Sequence, residues 1–141
     1  MSVGPRVGSD EIILKRIPSQ RLGSPEMTIA RPGIGLTATS FAICPRRDEK
    51  HPSWSRQRDE ASAEVLLRVE AEKGRDISGW RVAAVEVRIV RDELGLDVVA
   101  NPTEEDPGHC LIVPTSQQPF TDKIWSQLAK RTRIIYTHPA R

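Results

Sequence analysis

Cysteine, recognisable chemical motifs and long apolar runs are all scarce in this chain, and each scarcity removes a class of protein. Among 141 residues there are two cysteines, Cys44 and Cys110. Neither belongs to a Cys-x-x-Cys pair, and no histidine cluster supplies further ligands, so no metal site is expected. Each thiol adjoins an apolar run, Phe41 to Cys44 and Cys110 to Val113, where cysteine serves as a small buried hydrophobe. A disulfide between neighbouring strands is the alternative. No window reaches the apolar length of a membrane span, and the first residues lack a signal-peptide core. A soluble, cytoplasmic protein without membrane contact is the expectation. Gly-x-Gly-x-x-Gly, a phosphate loop ending in Gly-Lys-Ser/Thr, His-Glu-x-x-His and Gly-x-Ser-x-Gly are missing too. That excludes the familiar forms of the enzymes that use them, and no cofactor is expected.

Charge of one sign is also lacking. Twenty-one basic and nineteen acidic side chains leave a net +2, which exerts no general pull on nucleic acid or membrane. The C-terminal end alone is locally basic. Lys123, Lys130, Arg131, Arg133 and Arg141 face one nearby acid, Asp122. These charges are a candidate nucleic-acid contact; equally, they complement the dipole of a helix end.

What is present reads as a single α+β domain. Hydrophobic residues are 38% of the chain, and nine glycines and eleven prolines punctuate it, implying one core with long irregular connections. Residues 1–10 read as a flexible tail, 11–137 as the domain and 138–141 as a C-terminal tail. Strands are expected over Glu11–Ile17, Gly35–Cys44, Trp80–Val85, Leu96–Val99, from His109 to Val113 and near the C-terminus. Residues 18–34 and 45–57 read as loops. A helix is expected over Asp59–Lys73, with Ala61, Val65, Leu66 and Val69 as its apolar stripe and Gly74 just past its end. A shorter helical run, Arg88–Leu94, closes at Gly95. A third helix begins near Phe120, with Phe120, Ile124 and Leu128 as a core face and Trp125 beside it. Together these predict a mixed sheet of four to six strands packed with two or three helices.

The most informative stretch is Asp106 to Tyr136: a turn, a buried strand, a helix and a second strand, with His109 where turn becomes strand. Asp106 lies three residues before His109. Its carboxylate is able to fix the imidazole tautomer and tune it for acid–base work. In the competing structural role, Asp106 bonds turn amides and His109 caps the strand. Arg16, at the end of the first strand, holds a phosphate or carboxylate if Thr39 and Ser40 stand beside it; otherwise it is an edge charge. His51, Ser53 and Trp54 sit in a charged loop. Trp54 either folds back onto the core or anchors a partner, with Ser53 beside it.

Lys15 to Pro18, Ser40-Phe41, Leu94 to Val99 before Asn101-Pro102, Asp106 to His109 and Leu128 to Lys130 fall in an order that resembles a family of small bacterial proteins without a known activity. Residues 45–57 and 71–79 are insertions against that pattern. The resemblance implies a bacterial origin and a single domain, and carries no catalytic role. Two functions of different class follow from the residues. One is an interaction module that docks on a partner protein through its Pro-rich loops and the Trp54 region. The other is a small metal-free enzyme acting on a nucleotide or RNA, with His109, Arg16 and His51 converging on one cleft. Geometry separates them, because an enzyme needs those side chains within one substrate's width.

Overall fold

Six short segments among the described residues, most of them rich in β-branched and aliphatic side chains, pair into one antiparallel sheet. The computed structural model describes residues 5–17 and 53–139. Its strands are β1 (Ile12–Ile17), β2 (Ser53–Arg56), β3 (Arg81–Glu86), β4 (Asp97–Ala100), β5 (His109–Val113) and β6 (Arg133–Thr137). Two helices accompany them, α1 (Ser62–Glu72) and α2 (Asp122–Arg131), with a π-helical turn at Ile89–Glu93. The spatial order is β4-β5-β2-β1-β3-β6. The expected α+β domain is therefore found, but every described strand pairing is antiparallel, where a mixed sheet was expected. The expected strand Gly35–Cys44 lies outside the described residues.

Because side chains alternate across a strand, β1 sends Ile13 to one face and Leu14 to the other. Ile13 joins Trp54, Val85, Val98, Cys110 and Ile112 in a cluster closed by Ile124, Trp125 and Leu128 of α2 and by Val90 of the π-helical turn. Leu14 joins Val82 and Ala84 in a smaller cluster closed by Ala63 and Leu67 of α1, with Ile77 and Trp80. β3 is buried at Val82, Ala83, Ala84 and Val85 in succession, as a strand covered on both faces must be. Gly74 and Gly95, at φ +89° and +75°, end α1 and the π-helical turn in a conformation that side chains resist.

Three expectations need correction. Residues 53–56 were read as part of a loop, yet they form β2 and pair with β1 on one side and β5 on the other. Trp54 is 1% exposed, so burial of its ring, which the flanking charges masked, drives the segment into the sheet. Residues 5–9, expected as part of a flexible tail, are also tied down, since Val7 is fully buried. Val7 donates to the Val98 carbonyl, Ala100 donates to Pro5, and the Arg91 guanidinium reaches Val7, Ser9 and Asp97, which ties this segment to the edge of β4. Finally, α1 turns Ala63, Leu67 and Glu70 inward; of the expected stripe Leu66 packs half-buried against the smaller cluster, while Val65 is exposed and Val69 half-buried. No helix among the described residues is long and apolar enough to cross a membrane.

Candidate functional site

The displaced stripe of α1 is one wall of a cleft. Val65, Leu66 and Val69 face the loop before β5, contributed by Thr103, Glu105, Asp106 and Pro107, and His109 at the start of that strand. Arg16 of β1, Arg56 of β2, Arg58 and Asp59 before the helix, and Lys73 at its end complete the lining around about 390 Å³. Val65 is 41% exposed, and Leu66 and Val69 beside it are half-buried.

The structure brings Arg16, Asp106 and His109 into this one cleft, although they come from distant parts of the sequence. His51, Thr39 and Ser40 lie outside the described residues. Asp106 does not orient the imidazole. Its carboxylate accepts from the Gly108 amide at 3.0 Å and from the Ser55 hydroxyl, while its backbone carbonyl accepts from the amides of Thr103 and His109. This is the turn-forming role, favoured because Asp before Pro-Gly has two amides within reach. His109 instead turns Nδ1 toward the Asn101 carbonyl at 2.9 Å. A carbonyl only accepts, so the proton sits on Nδ1 and Nε2 is left without a protein partner among the described residues.

Arg16 is likewise committed. Its guanidinium donates to Glu70, which is 3% exposed and also receives Arg75 at 2.7 Å, with Lys73 3.7 Å away. A carboxylate buried on the core face of α1 is tolerable because three cations surround it. Arg56 is held by Glu11 through two bonds of 2.6 and 2.7 Å, and that pairing keeps the Glu11 carboxyl below its ordinary range. Lys73 reaches Glu105 at 2.7 Å, which lowers the Glu105 pKa in turn. Arg58 differs from the other three cations of the cleft. Among the described residues its guanidinium has no ion pair and no hydrogen bond, since only its backbone amide is engaged, by Ser62.

Trp54 and Ser53 are placed elsewhere. Trp54 is core, so the anchoring role considered for it is lost, and the Ser53 carbonyl accepts from the Lys15 ammonium at 3.0 Å. Cys110, in β5, is fully buried in the cluster closed by α2, its thiol pushed up to about 12, chiefly by burial and then by the nearby Asp106 charge. A thiol so protonated is a hydrophobe rather than a nucleophile. At the C-terminal end Lys123, Lys130, Arg131 and Arg133 are exposed on α2 and β6, but Arg131 pairs with Glu93 at 2.8 Å, so that basic end is partly neutralised. No group of three or more His, Cys, Asp or Glu side chains among the described residues is arranged to hold a metal ion.

Sequence reasoning missed Arg58 and the cleft wall. An arginine before a helix-starting aspartate carries no distinctive signal; its significance comes from having no partner when Arg16, Arg56 and Lys73 each have one. No family model, curated protein or solved structure matches the chain.

Proposed function

We propose that the cleft between α1 and the loop before β5 binds a small amphipathic molecule. The observation that carries the reading is the convergence of three aliphatic side chains, an unpaired guanidinium and an imidazole with a free nitrogen on about 390 Å³. That volume is in the range of small-ligand sites, and the aliphatic wall stands opposite polar and charged groups that can orient a ligand. Val65, Leu66 and Val69 take the apolar body, Arg58 takes a negatively charged oxygen group, and Nε2 of His109 accepts a hydrogen bond or a proton from the bound molecule.

Two features weigh against the nucleotide or RNA substrate considered from the sequence. Among the described residues the cleft offers no Phe, Tyr or Trp on which a base stacks, and Asp59, Glu105 and Asp106 line it among the cations. Of the docking surface expected from the Pro-rich loops and the Trp54 region, Trp54 is taken by the core, and residues 18–34 and 45–52 lie outside the described residues. A thermal-shift series with 4-methylpentanoate and adenosine monophosphate tests the reading. A saturable rise in Tm with the aliphatic acid and none with the nucleotide is expected. A rise with the nucleotide alone would return the site to nucleotide chemistry.

A further inference from the structure

The charges left over inside this cleft have both signs. Arg58 is the uncommitted cation. Asp106 lines the same cleft and receives two hydrogen bonds, from Ser55 and Gly108, but no cation among the described residues. A carboxylate has capacity for further donors beyond those two. The two groups are close without touching. Arg58 Nε and Asp106 Oδ1 each lie 3.5 Å from the point where a β-carbon on Gly108 would stand, which bounds their separation at twice that distance. They form no ion pair with one another, so a gap remains between them.

We infer that the ligand is zwitterionic: an aliphatic α-amino acid whose carboxylate pairs with Arg58, whose ammonium pairs with Asp106 and whose side chain lies on Val65, Leu66 and Val69. This rests on the small-ligand reading above and names its chemical class. An α-amino acid carries both charges on one carbon, and a charge-assisted hydrogen bond of about 2.8 Å at each end spans a gap of this kind. A ligand with a carboxylate alone satisfies Arg58 but lies against Asp59 and Asp106, which no cation among the described residues pairs. An amine alone satisfies Asp106 and leaves the guanidinium unanswered. Aliphatic selectivity follows from the wall, since three branched chains of α1 offer dispersion contacts and no hydrogen bond.

The test is a calorimetric titration of the full chain with three compounds of matched shape: leucine, 4-methylpentanoate, which lacks the ammonium, and 3-methylbutylamine, which lacks the carboxylate. Leucine should bind about tenfold more tightly than either, the effect of one charge-assisted hydrogen bond. Arg58→Gln should bring leucine level with 3-methylbutylamine while circular dichroism and Tm stay as in the wild type, because the Arg58 guanidinium bonds to no other described residue. If 4-methylpentanoate binds as tightly as leucine, the zwitterion is wrong and the small-ligand site survives. If leucine keeps its advantage in Arg58→Gln, the assignment of Arg58 is wrong. If none of the three binds, both readings fall together.

Discussion

The two faces of the sheet are finished differently. On one, Ile124, Trp125 and Leu128 of α2 seal an apolar cluster that runs from Val7 across to Val85 and Ile112. On the other, among the described residues, α1 seals only the β1–β3 side through Ala63 and Leu67, and its third inward residue is the carboxylate Glu70, ringed by Arg16, Lys73 and Arg75. The first face is a core that needs nothing further. The second spends part of its helix on an ion cluster and leaves the helix's aliphatic stripe facing a cleft. An unclosed face beside a closed one is where a ligand site belongs, since the closed side supplies the stability that the open side forgoes.

Substitutions measure that difference directly. Leu128→Ala, on the sealed face and fully buried, should cost about 2–5 kcal/mol in urea unfolding. Within α1 the contrast should reappear between neighbouring positions. Leu67→Ala should cost about 2–4 kcal/mol, whereas Val65→Ala should cost less than about 1. Equal costs at Leu67 and Val65 would mean that the stripe is covered in solution. Glu70→Gln keeps the shape but removes the charge that three cations share, and a loss of roughly 1–2 kcal/mol is expected, since Arg16 and Arg75 remain partly solvated. Raising the salt concentration should shrink that loss if the cluster is electrostatic.

The smallest effect is on acid stability. The Glu11 carboxyl lies below its ordinary value of 4.5 because Arg56 donates to it. Burial pushes Asp97 upward, but bonds from Arg91 and the Val98 amide, with the charges of Arg91 and Arg6, hold it below 3.8. Folded values below the unfolded ones mean that the unfolded chain binds more protons in this range. The stabilisation is therefore complete above about pH 5 and is lost as pH falls through the folded values. Tm should decline below about pH 4.5, and Arg56→Met should make the decline shallower. An unchanged slope would remove Arg56–Glu11 from the account.

Much of the sealed face is legible in the sequence, and much of the open face is not. β1, β3, β5 and α2 announce themselves because their apolar residues are numerous and sit at the right period; Ile124 and Leu128 are core as their spacing predicts. β2 is hidden, because four residues with one tryptophan between serines, entered from His51-Pro52 and closed by Arg56, look like a loop until two strands claim their hydrogen bonds. α1 is legible as a helix but not in its orientation. It carries two candidate stripes, and the inward one contains Glu70, so periodicity alone prefers Val65, Leu66 and Val69. Only the position of the sheet decides between them. At the site, the turn Asp106-Pro107-Gly108-His109 is readable, but the partner of the imidazole, the Asn101 carbonyl, is a tertiary contact across β4 and β5. Arg58 is legible only by elimination, after the other three cations have found their acids.

The central claim is that the open face holds a ligand on the α1 stripe. The most direct measurement is methyl NMR of Val65, Leu66 and Val69, with the His109 ring signals, during titration with leucine in the wild type and in Arg58→Gln. The account predicts saturable shifts at those methyls and at His109 in the wild type, strongly weakened in the variant, with the methyls of Leu128 and Ile112 on the sealed face unmoved. Shifts confined to the sealed face, or no shifts at all, would contradict it.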